Sequence, residues 1–292
     1  MSGVAVITDT NSGITSNEAD KLGIHIVPMP FIINGETYYE GINMSQEHFY
    51  KMLKKGAEIF TSQPSPESVT DIWDKALLMY DQVVYIPMSS GLSGSMLTAR
   101  MLAQDYRGRV FVVNNRRISV TQAQSVFDAL NLAGRGYDGK SIQEILERES
   151  PESSIYITID SLKYLAKGGR LTPAAAALGR ILRIKPVLQI QGDKLDKFSK
   201  ARTMKQAKQI MIDAIRNDME KRFKLSFSGH DAFIGMAHTD APEACEEFRK
   251  EVEEAFPGYP IYTAPLSLSV SCHIGPGSLA VTCTKRIPEL CD

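Results

Sequence analysis

Residues 82–104 read QVVYIPMSSGLSGSMLTARMLAQ. The β-branched and aromatic run Val83-Val84-Tyr85-Ile86 predicts a buried strand over Gln82 to Pro87. The turn SSGLSGS at residues 89–95 follows it, and Met96 to Gln104 are helix formers. The same order occurs earlier, where Val4 to Thr8 run into the polar loop Asp9-Thr10-Asn11-Ser12 and a helix is predicted from Ser16, with Glu18 and Asp20 in its first turn. Val110 to Val113 predict a further strand. Repeated strand, loop and helix argue for a parallel α/β sheet in this half of the chain.

Between these units, Ile24 to Ile33 read as one strand that turns at Asn34-Gly35 into Thr37-Tyr38-Tyr39, a hairpin signature. A helix is predicted over Ser45 to Lys55. In TSQPSPESV (61–69), Ser65 suits an N-cap, Pro66 the first helical position and Glu67 the helix dipole, for a helix reaching about Tyr80. After a predicted helix at 141–147, the polar stretch RESPESS (148–154) marks a domain boundary. Residues 1–152 are then an N-terminal parallel α/β domain and residues 153–292 a C-terminal mixed α+β domain. The latter has predicted strands near 155–159, 186–190, 194–199, 232–238, 260–265 and 278–284, and helices near 203–222 and 241–255. Gly192-Asp193 is read as a hairpin turn.

The chain has 292 residues, enough for two domains at roughly 150 each. Its 33 Lys and Arg against 34 Asp and Glu leave a formal net charge of −1, which provides no field for nucleic acid. Lys205, Lys208, Arg216, Lys221, Arg222 and Lys224 read as the solvated face of a helix. Cys245, Cys272, Cys283 and Cys291 contain no C-x-x-C pair, and His25, His48, His230, His238 and His273 are scattered, so neither disulfides nor a metal site is expected. The first apolar run begins at Val4 without a basic leader, and no apolar stretch approaches the roughly 18 residues of a membrane span. A reduced, cytoplasmic setting is the expectation.

A turn at the carboxyl end of a parallel strand presents unpaired backbone N–H groups of the following helix to a ligand crevice. In SSGLSGS, Gly91 and Gly94 permit close backbone approach and Ser93 offers a hydroxyl. Taken singly, each serine is better explained as satisfying the helix end. Thr61 and Ser62, at the end of a strand on the same sheet edge, make a second hydroxyl-rich loop, so that Thr61 and Ser93 can share one carboxylate or phosphate. Gly168-Gly169-Arg170 separates two helices and presents a guanidinium suited to the same groups. The stretch Gly91 to Ser95 also approaches the G-x-S-x-G nucleophile elbow, which leaves open a serine hydrolase with Ser93 as nucleophile, His273 as base and Asp9 or Asp160 as its orienter. A sugar- or nucleotide-phosphate binder is a third class, without a dinucleotide fingerprint to support it.

Taken together, TSQPSP (61–66), SSGLSGS (89–95), LKYLAKGGRL (162–171), IKPVL (184–188) and HIGPG (273–277) resemble the DegV family in order and separation. The resemblance is to its fatty-acid-binding, FakB-type members. It implies a two-domain α/β fold with a long-chain fatty acid such as palmitate buried between the domains. It also implies no catalysis by the chain itself, no cofactor, a separate ATP-dependent fatty acid kinase as partner, and transient contact with a membrane surface. By motif, Thr61 and Ser93 would hold the carboxylate, Ser62 and Gly94 would flank it, and His273 would stand close. Arg170 would lie near the head group or the kinase-docking surface. ITDTNSG (7–13) and VVNNRRISVTQAQ (112–124) depart from the family pattern, and Thr121 and Gln122 are expected to alter tunnel length or shape. Burying about 15 methylenes at roughly 0.8 kcal/mol each gives ~12 kcal/mol gross, against about 1.5–3 kcal/mol for each hydrogen bond to a charged head. The tail is thus expected to set affinity and the hydroxyls orientation.

Overall fold

The structure, a computed structural model, describes residues 3–180, 184–192 and 194–291. In chain order the first elements are β1 (Val4–Asp9), α1 (Ser16–Leu22), β2 (His25–Val27), β3 (Pro30–Ile33), β4 (Glu36–Tyr39), α2 (Gln46–Lys54), β5 (Ile59–Thr61), α3 (Pro66–Leu77), β6 (Gln82–Ile86), α4 (Ser95–Ala103), β7 (Val110–Val112), α5 (Val120–Gly134) and α6 (Gly139–Arg148). There follow β8 (Ser153–Thr158), α7 (Lys163–Gly168), α8 (Pro173–Ala176), β9 (Lys185–Ile190), β10 (Asp196–Ala201), α9 (Met204–Asn217), β11 (Ala232–His238), α10 (Pro242–Ala255), β12 (Ile261–Pro265), α11 (Leu268–Ile274) and β13 (Leu279–Lys285).

A four-stranded parallel sheet has the order β2-β1-β6-β7. Its strands are apolar on both faces because helices cover both. Ala5, Ile7, Val83 and Tyr85 pack on Trp73 of α3 and Met96 of α4, whereas the alternate residues Val6, Val84 and Ile86 pack on α5 and α6. A six-stranded mixed sheet has the order β10-β9-β8-β13-β11-β12, antiparallel except for the β11–β12 pair. One face of it carries Tyr156, Ile234, Met236, Leu279 and Val281 against α9 and α10. A three-stranded antiparallel sheet, β4-β3-β5, packs with α2 on Leu268 and Cys272 of α11.

The local signals act as expected at several ends. Thr15 and Glu18 form a reciprocal capping box on α1, and Ser65 caps α3 with Pro66 in its first turn. Asn34 and Gly35, with φ of 52° and 89°, make the β3–β4 turn. The stretch 24–33, however, is two strands in two different sheets. Pro28 and Pro30 lack the N–H that a ladder needs, so the chain leaves the parallel sheet after Val27 and re-pairs from Pro30. Lys208 is likewise not on a solvated face: it is 8% exposed and pairs with Glu251 at 3.0 Å. The Gly192-Asp193 turn lies partly outside the described residues, since Asp193 is not among them.

The helix α5 has no counterpart among the expected elements. It is buried almost all round, with Ala123, Val126, Ala129 and Leu132 under the parallel sheet and further contacts to β11 and β13. It therefore lies between the two large sheets. Among the described residues, no helix is long and apolar enough to cross a membrane.

Candidate functional site

The face of the six-stranded sheet opposite α9 and α10 borders a cavity of about 270 Å³. Strand alternation supplies its apolar wall, because Ile155, Ile157, Ile190, Ala237 and Ala280 point here while their neighbours point to the helices. Small residues make the room. A Cβ added to Gly235 would stand 2.6 Å from both Cγ2 of Val120 and Oγ1 of Thr282, so only glycine lets β11 approach the start of α5. Met29, Met88, Leu92, Leu165 and Leu266 complete the greasy lining.

Thr61, Ser62, Ser93, Gly94, Arg170 and His273 all border this cavity. The Thr61 hydroxyl and His273 Nε2 are 2.9 Å apart. Ser93 sits in the turn leading into α4, where its N–H donates to Ser89 O at 3.1 Å and its Oγ accepts from the N–H of Ser95 at 3.2 Å. Gln63 joins the two hydroxyl loops by accepting a hydrogen bond from the Thr98 hydroxyl of α4 at 3.1 Å, with Gly94 against the same side chain. Arg170 follows Gly169, whose φ of 66° closes α7, and its Nε donates to Leu92 O at 3.3 Å. Burial, with the Arg170 charge adding to it, lowers His273 to about 4, so its imidazole is neutral at neutral pH. Neutral hydroxyls, one guanidinium and the amino end of α4 thus cluster at one part of an otherwise apolar cavity.

The strand ending in Thr61 belongs to the small antiparallel sheet, not to the edge of the parallel sheet; α11 and α4 bring the two loops together. His273 is in the last turn of α11 and not in the Gly-Pro-Gly loop that follows. Thr121 and Gln122 do not line the cavity. The Thr121 hydroxyl donates to Ile118 O, and Gln122 Nε2 donates to Thr8 Oγ1, Asp9 Oδ1 and Ile86 O, at 3.0–3.1 Å for the last three. A hydrolase arrangement is not formed among the described residues. His273 bonds Thr61 rather than Ser93, the Asp9 carboxylate accepts from Met88 N, Asn11 N and Gln122, and Asp160 pairs with Lys185.

Sequence reading missed Asn11, Gln63, Ser119, Ser269 and Thr282, which also border the cavity. Asn11 was within reach, since it lies in the loop after β1, at the carboxyl end of the parallel sheet. Its Oδ1 accepts from the Ser267 and Ser269 hydroxyls at 2.7 and 2.5 Å, which ties that loop to the start of α11. Among the described residues no three His, Cys, Asp or Glu side chains group so as to hold a metal ion.

Residues 3–286 match the profile of a family described as "Uncharacterised protein, DegV family". A DegV domain-containing protein of Streptococcus pneumoniae is 31% identical over 288 residues, covering 95% of this chain and 97% of the relative. One of Caldanaerobacter subterraneus is 29% identical over 277 residues, 94% of this chain and 95% of the relative. Among solved structures, a DegV family protein of Thermus thermophilus described by its fatty acid binding superimposes with a TM-score of 0.88 at 25% identity, over 97% of this chain and 100% of that one. DegV of Bacillus subtilis, described as a fatty acid binding protein, gives 0.83 at 25% identity, over 97% of this chain and 99% of that one.

Proposed function

The chain belongs to the DegV family, and from that premise we propose that it binds a long-chain fatty acid and presents the carboxylate to a separate ATP-dependent fatty acid kinase. One observation carries the reading: a single cavity is apolar over most of its wall and gathers Thr61, Ser93, Arg170 and His273 at one part of it. A hydrocarbon tail gains roughly 0.8 kcal/mol for each methylene taken from water, so the apolar wall supplies affinity. The head is oriented by hydrogen bonds. The Thr61 and Ser93 hydroxyls and the amino end of α4 donate to the carboxylate, and Arg170 adds charge from the GGR turn. Ser62 and Gly94 flank it. Because His273 is neutral, the carboxylate keeps its negative charge without a tight histidinium pair and remains nucleophilic toward the γ-phosphate of ATP held by the kinase. The chain itself acts as a carrier of palmitate-like acids in the cytoplasm, touching membrane surfaces only to exchange lipid.

Purified protein is denatured, extracted and its lipid identified by mass spectrometry, and the lipid-free chain is then titrated with palmitate. Recovery of acyl chains, or stoichiometric uptake of palmitate, is the expected result; repeated absence of both removes the proposal. The kinase step is tested separately, by asking whether acyl phosphate forms from palmitate and ATP only when a bacterial fatty acid kinase and this chain are both present.

A further inference from the structure

The greasy end of the cavity is not purely greasy. Ser119 borders it, is 5% exposed, and its Oγ makes no hydrogen bond to any described group. Its hydroxyl precedes the first turn of α5, a helix of 15 residues, whose leading N–H groups lack intrahelical acceptors. Ser119 is held at φ 57° and ψ −140°, a conformation glycine adopts freely and serine does not. Thr282 borders the same cavity and brings a second hydroxyl-bearing side chain to it.

These hydroxyls stand away from the Thr61–His273 pair. His273 is in the last turn of α11 and Ser269 in the first, about 6 Å earlier along the helix at roughly 1.5 Å per residue. Ser269 bonds Asn11 Oδ1, and the Ser119 N–H in turn donates to Asn11 O at 2.9 Å. The sheet register agrees. Leu279 is at the end of β13 nearest α11, Ala280 pairs with Ile157 and Ala237 next, and Thr282 pairs with Ile155 and Gly235 beyond them, where Val120 makes contact.

A wholly saturated, unsubstituted tail would leave Ser119 buried without a partner, and a site that presents hydrogen-bonding groups discriminates against ligands that cannot meet them. We infer that the cavity of this protein selects acyl chains bearing an oxygen substituent, a hydroxyl or a keto group, at the depth of Ser119 and Thr282. The inference rests on the fatty-acid reading above and specifies its substrate class. The hydroxyl of the ligand would accept from Ser119 Oγ and the amino end of α5, and would donate to Thr282.

Lipid-free full-length protein is incubated with an equimolar mixture of stearate and a positional series of monohydroxystearates, and the bound lipid is extracted and quantified. The same competition is run on Ser119→Ala and on Ser119→Gly, which removes the hydroxyl while relieving the backbone strain, so that misfolding of one variant does not remove the test. The expected result is that one position of the series is enriched over stearate, with a bound ratio about tenfold higher in the natural chain than in either variant, the factor one hydrogen bond gives. A ratio that is the same in all three proteins, or exclusion of every hydroxystearate while stearate binds, overturns this inference and leaves the fatty-acid reading standing. Failure of every acid in the mixture to bind overturns both.

Discussion

The Thr61 hydroxyl lies 2.9 Å from Nε2 of His273, 212 residues away in sequence. The bond joins the small antiparallel sheet to α11 at the wall of the cavity, and the imidazole tautomer decides which of the two groups donates. Thr61→Val keeps shape and removes the donor. Palmitate affinity is expected to fall about tenfold to a hundredfold, as for loss of one hydrogen bond to a charged group. Thermal stability should change little, because Thr61 is only partly buried. Calorimetric titration and melting curves of the two proteins check this.

His273 should reveal its surroundings through pH. Burial, helped by the Arg170 charge, lowers it from 6.5 to about 4, so between these values the unfolded chain binds more protons than the folded one. Its contribution to stability is complete above pH 6.5 and is lost as pH falls through about 4. Denaturation midpoints of the natural chain and of His273→Gln, measured from pH 4 to 7, should therefore converge as the solution is acidified. A proton resonance of the His273 ring titrating near 6.5 would contradict the assignment.

The room in the cavity comes from small side chains on the sheet, above all Ala237 and Ala280, both at most 2% exposed. Ala280→Leu projects three extra carbons from β13 into that space rather than into a packed core. Extracted lipid should shift toward shorter chains, and added palmitate should bind at least tenfold more weakly. Gly235→Ala is expected to act differently, since its Cβ meets Val120 and Thr282 at 2.6 Å. Overpacking there should cost about 1–3 kcal/mol of folding stability in chemical denaturation.

The parts of the site that could be read from sequence are those governed by local chemistry. Gly91, Ser93 and Gly94 announce a turn, Ser65-Pro66 a helix start and Gly168-Gly169 a helix end, because each signal depends on neighbours within a few residues. The parts that could not be read depend on distant partners. The polar residues of α5, among them Gln122, Gln124 and Asp128, carry no local signal of a buried helix, yet all are buried and Gln122 is matched to groups more than 100 residues earlier, Thr8 and Asp9. His273 reads as a loop residue because Gly275 to Gly277 follow it, although α11 closes only at Gly275. Ser119 carries no signal in sequence; its strain and its unmet hydroxyl appear only once the sheets are assembled.

Gln122 anchors this assembly and supplies a final test. Its Nε2 donates to Thr8 Oγ1 at 3.0 Å and to Asp9 Oδ1 and Ile86 O at 3.1 Å, joining the carboxyl ends of β1 and β6 beneath the cavity. Asp9 is fully buried, and desolvation raises it from 3.8 to about 6 against the donors from Met88, Gln122 and Asn11 that oppose the rise. A carboxyl raised in this way contributes stability that is complete below pH 3.8 and lost as pH rises through about 6. Gln122→Leu removes one of those donors and leaves Thr8 and Ile86 with poorer partners, so it should destabilise the fold by about 2–3 kcal/mol near neutrality. It should also lift Asp9 further. The variant then binds more protons than the natural chain as pH rises past 6, so the stability gap between the two should widen from pH 4 to pH 7. Urea unfolding across that range measures the gap directly, and a gap that narrows with pH would show that Gln122 does not hold the Asp9 charge.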